Sequence, residues 1–239
     1  MVTAERQTWN TFHVGTYRLN SLGMGVAESL TGGDVNYSWN GGTLMDAYGW
    51  PTNKVGTYQI LDMEVYNDEF YAVGSTITQP PMLFLPPEGG IPADGAFAAD
   101  PIEMVTGLGA WEGELWSLDI DSAGLVLGGV DQGRDVGHVF VSTGDFRTDP
   151  WLDLDVSTIY PGDATWIRGV CRDGNTVVAV GEFTIDQEGI VLHSTDGGQT
   201  WDERMLIQPN PGVMSQCVVL ADGSIAVAGG GGFYGVYTP

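Results

Sequence analysis

Ser194-Thr195-Asp196-Gly197-Gly198-Gln199-Thr200-Trp201 is the stretch that decides the fold. Each fixed position has a mechanical task in a tight strand-to-strand turn. The Ser194 hydroxyl and the Asp196 carboxylate are short polar groups that bond to the turn's own backbone. Gly197 and Gly198 permit φ > 0 without a Cβ clash. Trp201 opens the next strand and carries a large apolar ring toward a neighbouring sheet.

Degenerate copies of this turn recur, so the chain reads as a repeat protein. Ser38-Trp39-Asn40-Gly41-Gly42-Thr43 keeps the serine and replaces the acid by Asn40, and Pro86-Pro87-Glu88-Gly89-Gly90 keeps an acceptor before paired glycines. A further copy starts at Ser142-Thr143-Gly144-Asp145 and is spread by an insertion as far as Trp151. A Val/Leu-rich run ending in glycine precedes each: Gly181 lies 13 positions before Ser194, and Gly129 lies 13 before Ser142.

These copies resemble the Asp box, or BNR repeat, of the sialidase superfamily. The resemblance implies a β-propeller in which the box closes the two outer strands of a blade, and a structural role for Ser194, Asp196, Gly198, Trp201, Ser38, Asn40, Ser142 and Trp9. The termini read as two halves of one box: Gln7-Thr8-Trp9 duplicates Gln199-Thr200-Trp201, while Asp222 to Pro239 follows a blade's course and stops where a box would begin. The expectation is an all-β, five-bladed propeller, its ring closed by the N-terminal strand pairing into the C-terminal blade. It is read as a single domain, 1–239, with 91–114 as an inter-blade insertion.

Composition suits turns at short intervals: Gly is 36 of 239 residues, and no helical period is sustained. The net charge of −23, with Lys54 the sole lysine, argues against nucleic acid and anionic membranes, which need basic surface, and no apolar run is long enough to suggest membrane insertion. The N-terminus carries no secretory apolar run. Cys171 and Cys217 fall on inner strands of successive units; they are read as buried free thiols, a multi-disulfide framework being excluded by count.

No catalytic, metal or cofactor set emerges. His13, His138 and His193 do not cluster, and no histidine lies at ligand spacing from a cysteine. The sialidase arginine trio and Arg-Ile-Pro segment have no counterpart. A glycoside hydrolase resembling five-bladed arabinanases or invertases is the enzymatic alternative, using Asp62, Glu64 and Asp119 in a central funnel; the favoured reading is not an enzyme. The candidate ligand contacts are Asp131, Gln132, Asp186 and Gln187 in two hairpins on the face opposite the boxes, with polar turn chemistry as the plainer account. Trp111, Trp116 and Trp166 stand at or before inner strands, where they can stack on sugars or pack between blades. The expected partners are surface glycans or protein subunits of a larger assembly. The expected setting is a virion, such as a phage tail, or an extracellular surface. Photosystem assembly-factor propellers are similar but are associated with basic patches that this chain lacks.

Overall fold

The structure, a computed structural model, describes residues 25–28, 34–39, 43–49, 59–67, 69–76, 79–84, 102–103, 113–146, 148–203 and 212–238. Trp9, Asn40 and the proposed closing segment lie outside these residues. The described chain is all β, with two short 3-10 turns at Val156–Thr158 and Gly230–Gly232 and no α-helix. None of its helices is long and apolar enough to cross a membrane.

Two compact units divide at residues 103 and 104. The first holds two antiparallel sheets. One orders β1 (Gly25–Glu28), β2 (Asp34–Trp39) and β3 (Thr43–Gly49); the other orders β4 (Gln59–Tyr66), β5 (Glu69–Thr76), β6 (Gln79–Phe84) and β7 (Ile102–Glu103). Ile102–Glu103 therefore pairs as a strand within the stretch 91–114, and Ser38 sits near the end of β2, where Trp39 pairs with Thr43.

The second unit holds three sheets, each an up-and-down meander: β8 (Gly113–Asp121), β9 (Gly124–Asp131), β10 (Val136–Ser142) and β11 (Trp151–Asp155); β12 (Thr165–Asp173), β13 (Thr176–Phe183), β14 (Gly189–Ser194) and β15 (Asp202–Glu203); β16 (Met214–Val219), β17 (Ile225–Gly229) and β18 (Tyr234–Tyr237). The box at 194–201 links β14 to β15, and the spread copy at 142–151 links β10 to β11, both third strand to fourth.

Strands β10, β13 and β14 are buried almost throughout. Alternation along β13 explains why a continuous run of valines is needed there. Val177 and Ala179 pack with Val126, Val139 and Val141 of the preceding sheet, while Val178 and Val180 pack with Met214, Ile225 and Val227 of the following one. A sheet covered on both faces reads as unbroken apolar sequence.

The first strands of adjacent sheets are joined by side chains where no strand ladder exists. Ser117 Oγ, Asp119 Oδ2 and Asp121 Oδ2 of β8 accept the backbone N–H groups of Val170, Arg172 and Gly174 at 3.2, 2.8 and 2.6 Å, each 53 residues on. Alternate residues thus satisfy donors along the unpaired edge of β12, which would otherwise be stranded.

At the next junction the linkage is covalent. Cys171 stands in β12 where Asp119 stands in β8, opposite Val178 and Val126 respectively. It forms a disulfide with Cys217 of β16, the Cα atoms 5.7 Å apart. The expectation of free thiols is corrected accordingly. The two strands come close because Gly169 carries no side chain: a Cβ there would lie 2.6 Å from the Ser215 carbonyl oxygen.

Candidate ligand site on the first strands

A β-bulge interrupts the first strand of each sheet in the second unit, at Trp116, Arg168 and Ser215. The residue before each bulge pairs with a glycine: Leu115 with Gly129, Ile167 with Gly181, Met214 with Gly229. A Cβ on Gly129 would lie 2.0 Å from the Glu114 carbonyl oxygen, and one on Gly181 would clash with that of Trp166. Only glycine accommodates the backbone folded over it. The repeat glycine thus makes room for the bulge, and the bulge re-aims one side chain per strand.

Two of the re-aimed side chains meet. The Arg168 guanidinium lies 4.0 Å from the centroid of Trp116 and 4.4 Å from that of Trp166, and the two indoles stand edge to face with centroids 5.2 Å apart. Arg168 Nε and Nη2 both donate to Glu182 Oε1, at 2.9 and 2.7 Å. Its side chain is 29% exposed and that of Glu182 only 6%. Both indoles are held by carboxylates: Trp116 Nε1 donates to Glu114 Oε2 at 2.6 Å, and Trp166 Nε1 donates to Asp135 Oδ1. Such a fixed, part-exposed guanidinium offers Nη1 to an acceptor, with indole edges and carboxylates beside it. Hydroxyl-bearing ligands match that combination of donor, acceptor and apolar wall.

The hairpin that supplies Asp135 is anchored from its other side. Arg134 Nε donates to Asp131 Oδ2 and Nη1 to Asp155 Oδ2, both at 2.7 Å. Arg134 Nη2 lies 2.8 Å from His138 Nε2, and His138 Nδ1 lies 2.9 Å from Asp153 Oδ1. A guanidinium only donates, so Nε2 accepts and the imidazole proton sits on Nδ1 toward Asp153. The hydrogen bond from Arg134 to Asp131, then that to Asp155, raises the guanidinium pKa. Burial pushes the Asp155 carboxyl up, but the bonds from Ser157 and Arg134 outweigh it and the net shift is downward.

The four residues expected to contact ligand are not brought to matching places. Asp131 ends β9 and is turned inward, its Oδ1 accepting the N–H of Gly133 at 2.9 Å. Its register equivalent in the next sheet is Phe183, whereas Asp186 lies three residues further on, in the loop. Gln132, Asp186 and Gln187 are exposed, and Gln187 adopts φ of 55° at the hairpin end. Both hairpins nevertheless gather at the start of β12: the Thr165 N–H donates to the Asp135 carbonyl and the Thr184 N–H to that of Ala164, each at 3.0 Å.

The glycosidase candidates divide between the units. Asp119 is bound to backbone, its Oδ1 accepting the Ile120 N–H and its Oδ2 that of Arg172, both at 2.8 Å. Asp62 and Glu64 lie on β4, half-buried and buried. Among the described residues no group of His, Cys, Asp and Glu is arranged to hold a metal ion.

The box residues bond largely to one another, and the Gly197 N–H donates to the Asn175 carbonyl at 2.8 Å. Ser194 Oγ donates to Asp196 Oδ1 at 2.8 Å and accepts the Gly198 N–H at 2.8 Å; Asp196 also accepts from the N–H groups of Gln199 and Thr200 and from Thr200 Oγ1. Gly198 has φ of 90°, and a Cβ there would press on Val141 of the preceding sheet at 2.8 Å. Trp201 Nε1 donates to the Gly198 carbonyl at 3.0 Å while its ring packs on the inter-sheet core. In the spread copy Trp151 Nε1 donates likewise to the Phe146 carbonyl, but Ser142 Oγ accepts the Leu125 N–H instead, and Asp149 caps the loop at Asp145.

No protein-family model and no curated protein matches the sequence. Solved structures do match in fold. A gluconolactonase from Xanthomonas campestris superposes with a TM-score of 0.60 at 14% identity, over 92% of this chain and 70% of its own. Virginiamycin B lyase from Staphylococcus aureus gives 0.59 at 10%, over 97% and 71%. The β-propeller domain of Cps50 (Swd1) from Myceliophteria thermophila gives 0.56 at 10%, over 97% and 72%. The fold is a β-propeller. The expectation that the chain is not an enzyme is corrected by the same finding, since a lyase and a gluconolactonase are among its structural neighbours. The physical reason is that chemistry resides in side chains grafted on a fold, so a propeller frame gives no ground for excluding it.

Proposed function

We propose that the protein is a glycan-binding propeller whose ligand docks at the corner formed by Trp116, Trp166 and Arg168. The observation that carries this reading is Arg168 itself, re-aimed by a bulge, braced on two indoles and on Glu182 through Nε and Nη2, and 29% exposed. A sugar presents adjacent hydroxyls that accept from a guanidinium and donate to a carboxylate, with C–H faces that pack on indole.

The finer architecture belongs to the same proposal. The five sheets are five Asp-box blades of one ring formed by the whole 239-residue chain, closed by residues 5–12 pairing beside β18. Gln7-Thr8-Trp9 supports this, because the matching Gln199-Thr200-Trp201 leads into a fourth strand, and β18 is the third strand of a sheet with three among the described residues. The setting is an oxidising one, a virion or extracellular surface, where neighbouring protein subunits are further partners. The Cys171–Cys217 disulfide and the acidic surface support that setting.

Titration of an oligosaccharide panel into wild type and Arg168→Ala tests the function. Binding that weakens at least about tenfold in the variant supports the corner, as loss of a charge-assisted hydrogen bond in a binding site costs that much or more. Absence of binding to any member refutes the glycan reading, and undiminished binding by the variant moves the site elsewhere. The lyase and gluconolactonase neighbours favour a second reading in which the docked sugar is also transformed, and product analysis of the same mixtures separates the two.

A further inference from the structure

The charge of Arg168 is already paired within the protein. Its Nε and Nη2 both close on one oxygen of Glu182, whose side chain is 6% exposed, and two further carboxylates, Glu114 and Asp135, hold the flanking indoles. One guanidinium is therefore set among three carboxylates, in a chain of net charge −23. An uncharged hydroxyl arriving at Nη1 meets an oriented donor at no electrostatic penalty. An acidic sugar meets the same donor but also three carboxylates and the field of the whole molecule.

We infer that the site selects uncharged over acidic sugars and that Glu182 is the residue that sets this selectivity, an inference that rests on the glycan reading above. Glu182 acts on the ligand through Arg168: it consumes the charge that a uronate, sialate or sulfate would need. It also fixes the guanidinium plane, so that one edge is spent inside the protein and one is left for the ligand. Removing its charge while keeping its shape leaves Arg168 over the indoles without its direct ion-pair partner.

The test compares matched pairs of oligosaccharides, each neutral member beside one carrying a uronic acid, sialic acid or sulfate, on wild type and on Glu182→Gln. Wild type is expected to bind neutral members at least about tenfold more tightly, and the variant to narrow or invert that ratio, since a like-charge juxtaposition is worth at least that factor. Ionic strength supplies a readout on unmodified protein, independent of how Glu182→Gln folds. Raising salt from about 20 to 500 mM should leave neutral binding unchanged and improve acidic binding, because screening weakens the repulsion. Equal or tighter binding of acidic members by wild type overturns the inference and leaves the glycan reading standing. A neutral preference that a folded Glu182→Gln protein retains in full overturns the role of Glu182. Failure of every member to bind refutes the glycan reading itself.

Discussion

The carboxylate of Asp119 on β8 accepts the backbone N–H of Arg172 on β12 at 2.8 Å, linking the first strands of two sheets that share no strand ladder. Burial lowers the pKa of the Arg172 side chain, and Asp121 and then Asp119 oppose that shift by their charge. Asp119→Ala should therefore destabilise the protein by about 1–3 kcal/mol through the orphaned donor, and Asp119→Asn, which keeps an acceptor, by less. Urea unfolding measures both. A fully stable Asp119→Ala protein would show that the link contributes nothing.

Gly181 lies beneath the carbonyl of Trp166, too close for any Cβ. Gly181→Ala should cost about 3 kcal/mol as overpacking against rigid backbone. If it folds, the Arg168 bulge is lost and ligand binding with it. Gly174→Ala, with φ of 58° but open space around it, is the control: it should lose stability through backbone strain and keep binding.

The disulfide closes a separation of 46 residues between β12 and β16. Its removal by Cys171→Ser with Cys217→Ser should lower stability by about 2–4 kcal/mol. Thermal unfolding with and without reductant measures the same effect on wild type. Identical melting in both conditions would mean that no such bond forms.

The all-β class and the position of the turns at 142–151 and 194–201 between third and fourth strands were legible because each rests on local chemistry: glycines at tight turns, a polar side chain before them, a tryptophan after. The proposed ligand corner was only half legible. Trp116 and Trp166 stand out in the sequence as aromatic residues on first strands, but Arg168 and Glu182 do not, because their meeting depends on a bulge that shifts register by one residue. The signal for that bulge is present in Gly129 and Gly181, each 13 residues before a box, and in Gly229, but the sequence shows them only as the ends of apolar runs. Asp131-Gln132 and Asp186-Gln187 are identical dipeptides at different register positions, which the sequence alone does not reveal. The cysteines misled because a count of two argues against a framework and says nothing about one bond.

Asp196 is held to a pKa of about 2 by hydrogen bonds from the Thr200 hydroxyl, the Thr200 N–H and Ser194. An unfolded aspartate titrates near 3.9. The turn's contribution is thus complete above about pH 4 and is lost as pH falls toward 2. Asp196→Asn should flatten that part of the stability profile, measured by urea midpoints between about pH 5 and 2. A profile unchanged in the variant would remove the carboxylate from the account of acid sensitivity.

The most direct measurement of the central claim follows the indole N–H resonances of the chain's eight tryptophans, assigned by single Trp→Phe substitutions, during titration with an oligosaccharide that binds. Trp116 and Trp166 should shift together and saturate at the affinity found by calorimetry, while Trp151 and Trp201, bonded to turn carbonyls at the opposite ends of their sheets, stay in place. Saturable shifts confined to Trp151 or Trp201, with Trp116 and Trp166 unmoved, would contradict the assignment of the site to the Arg168 corner.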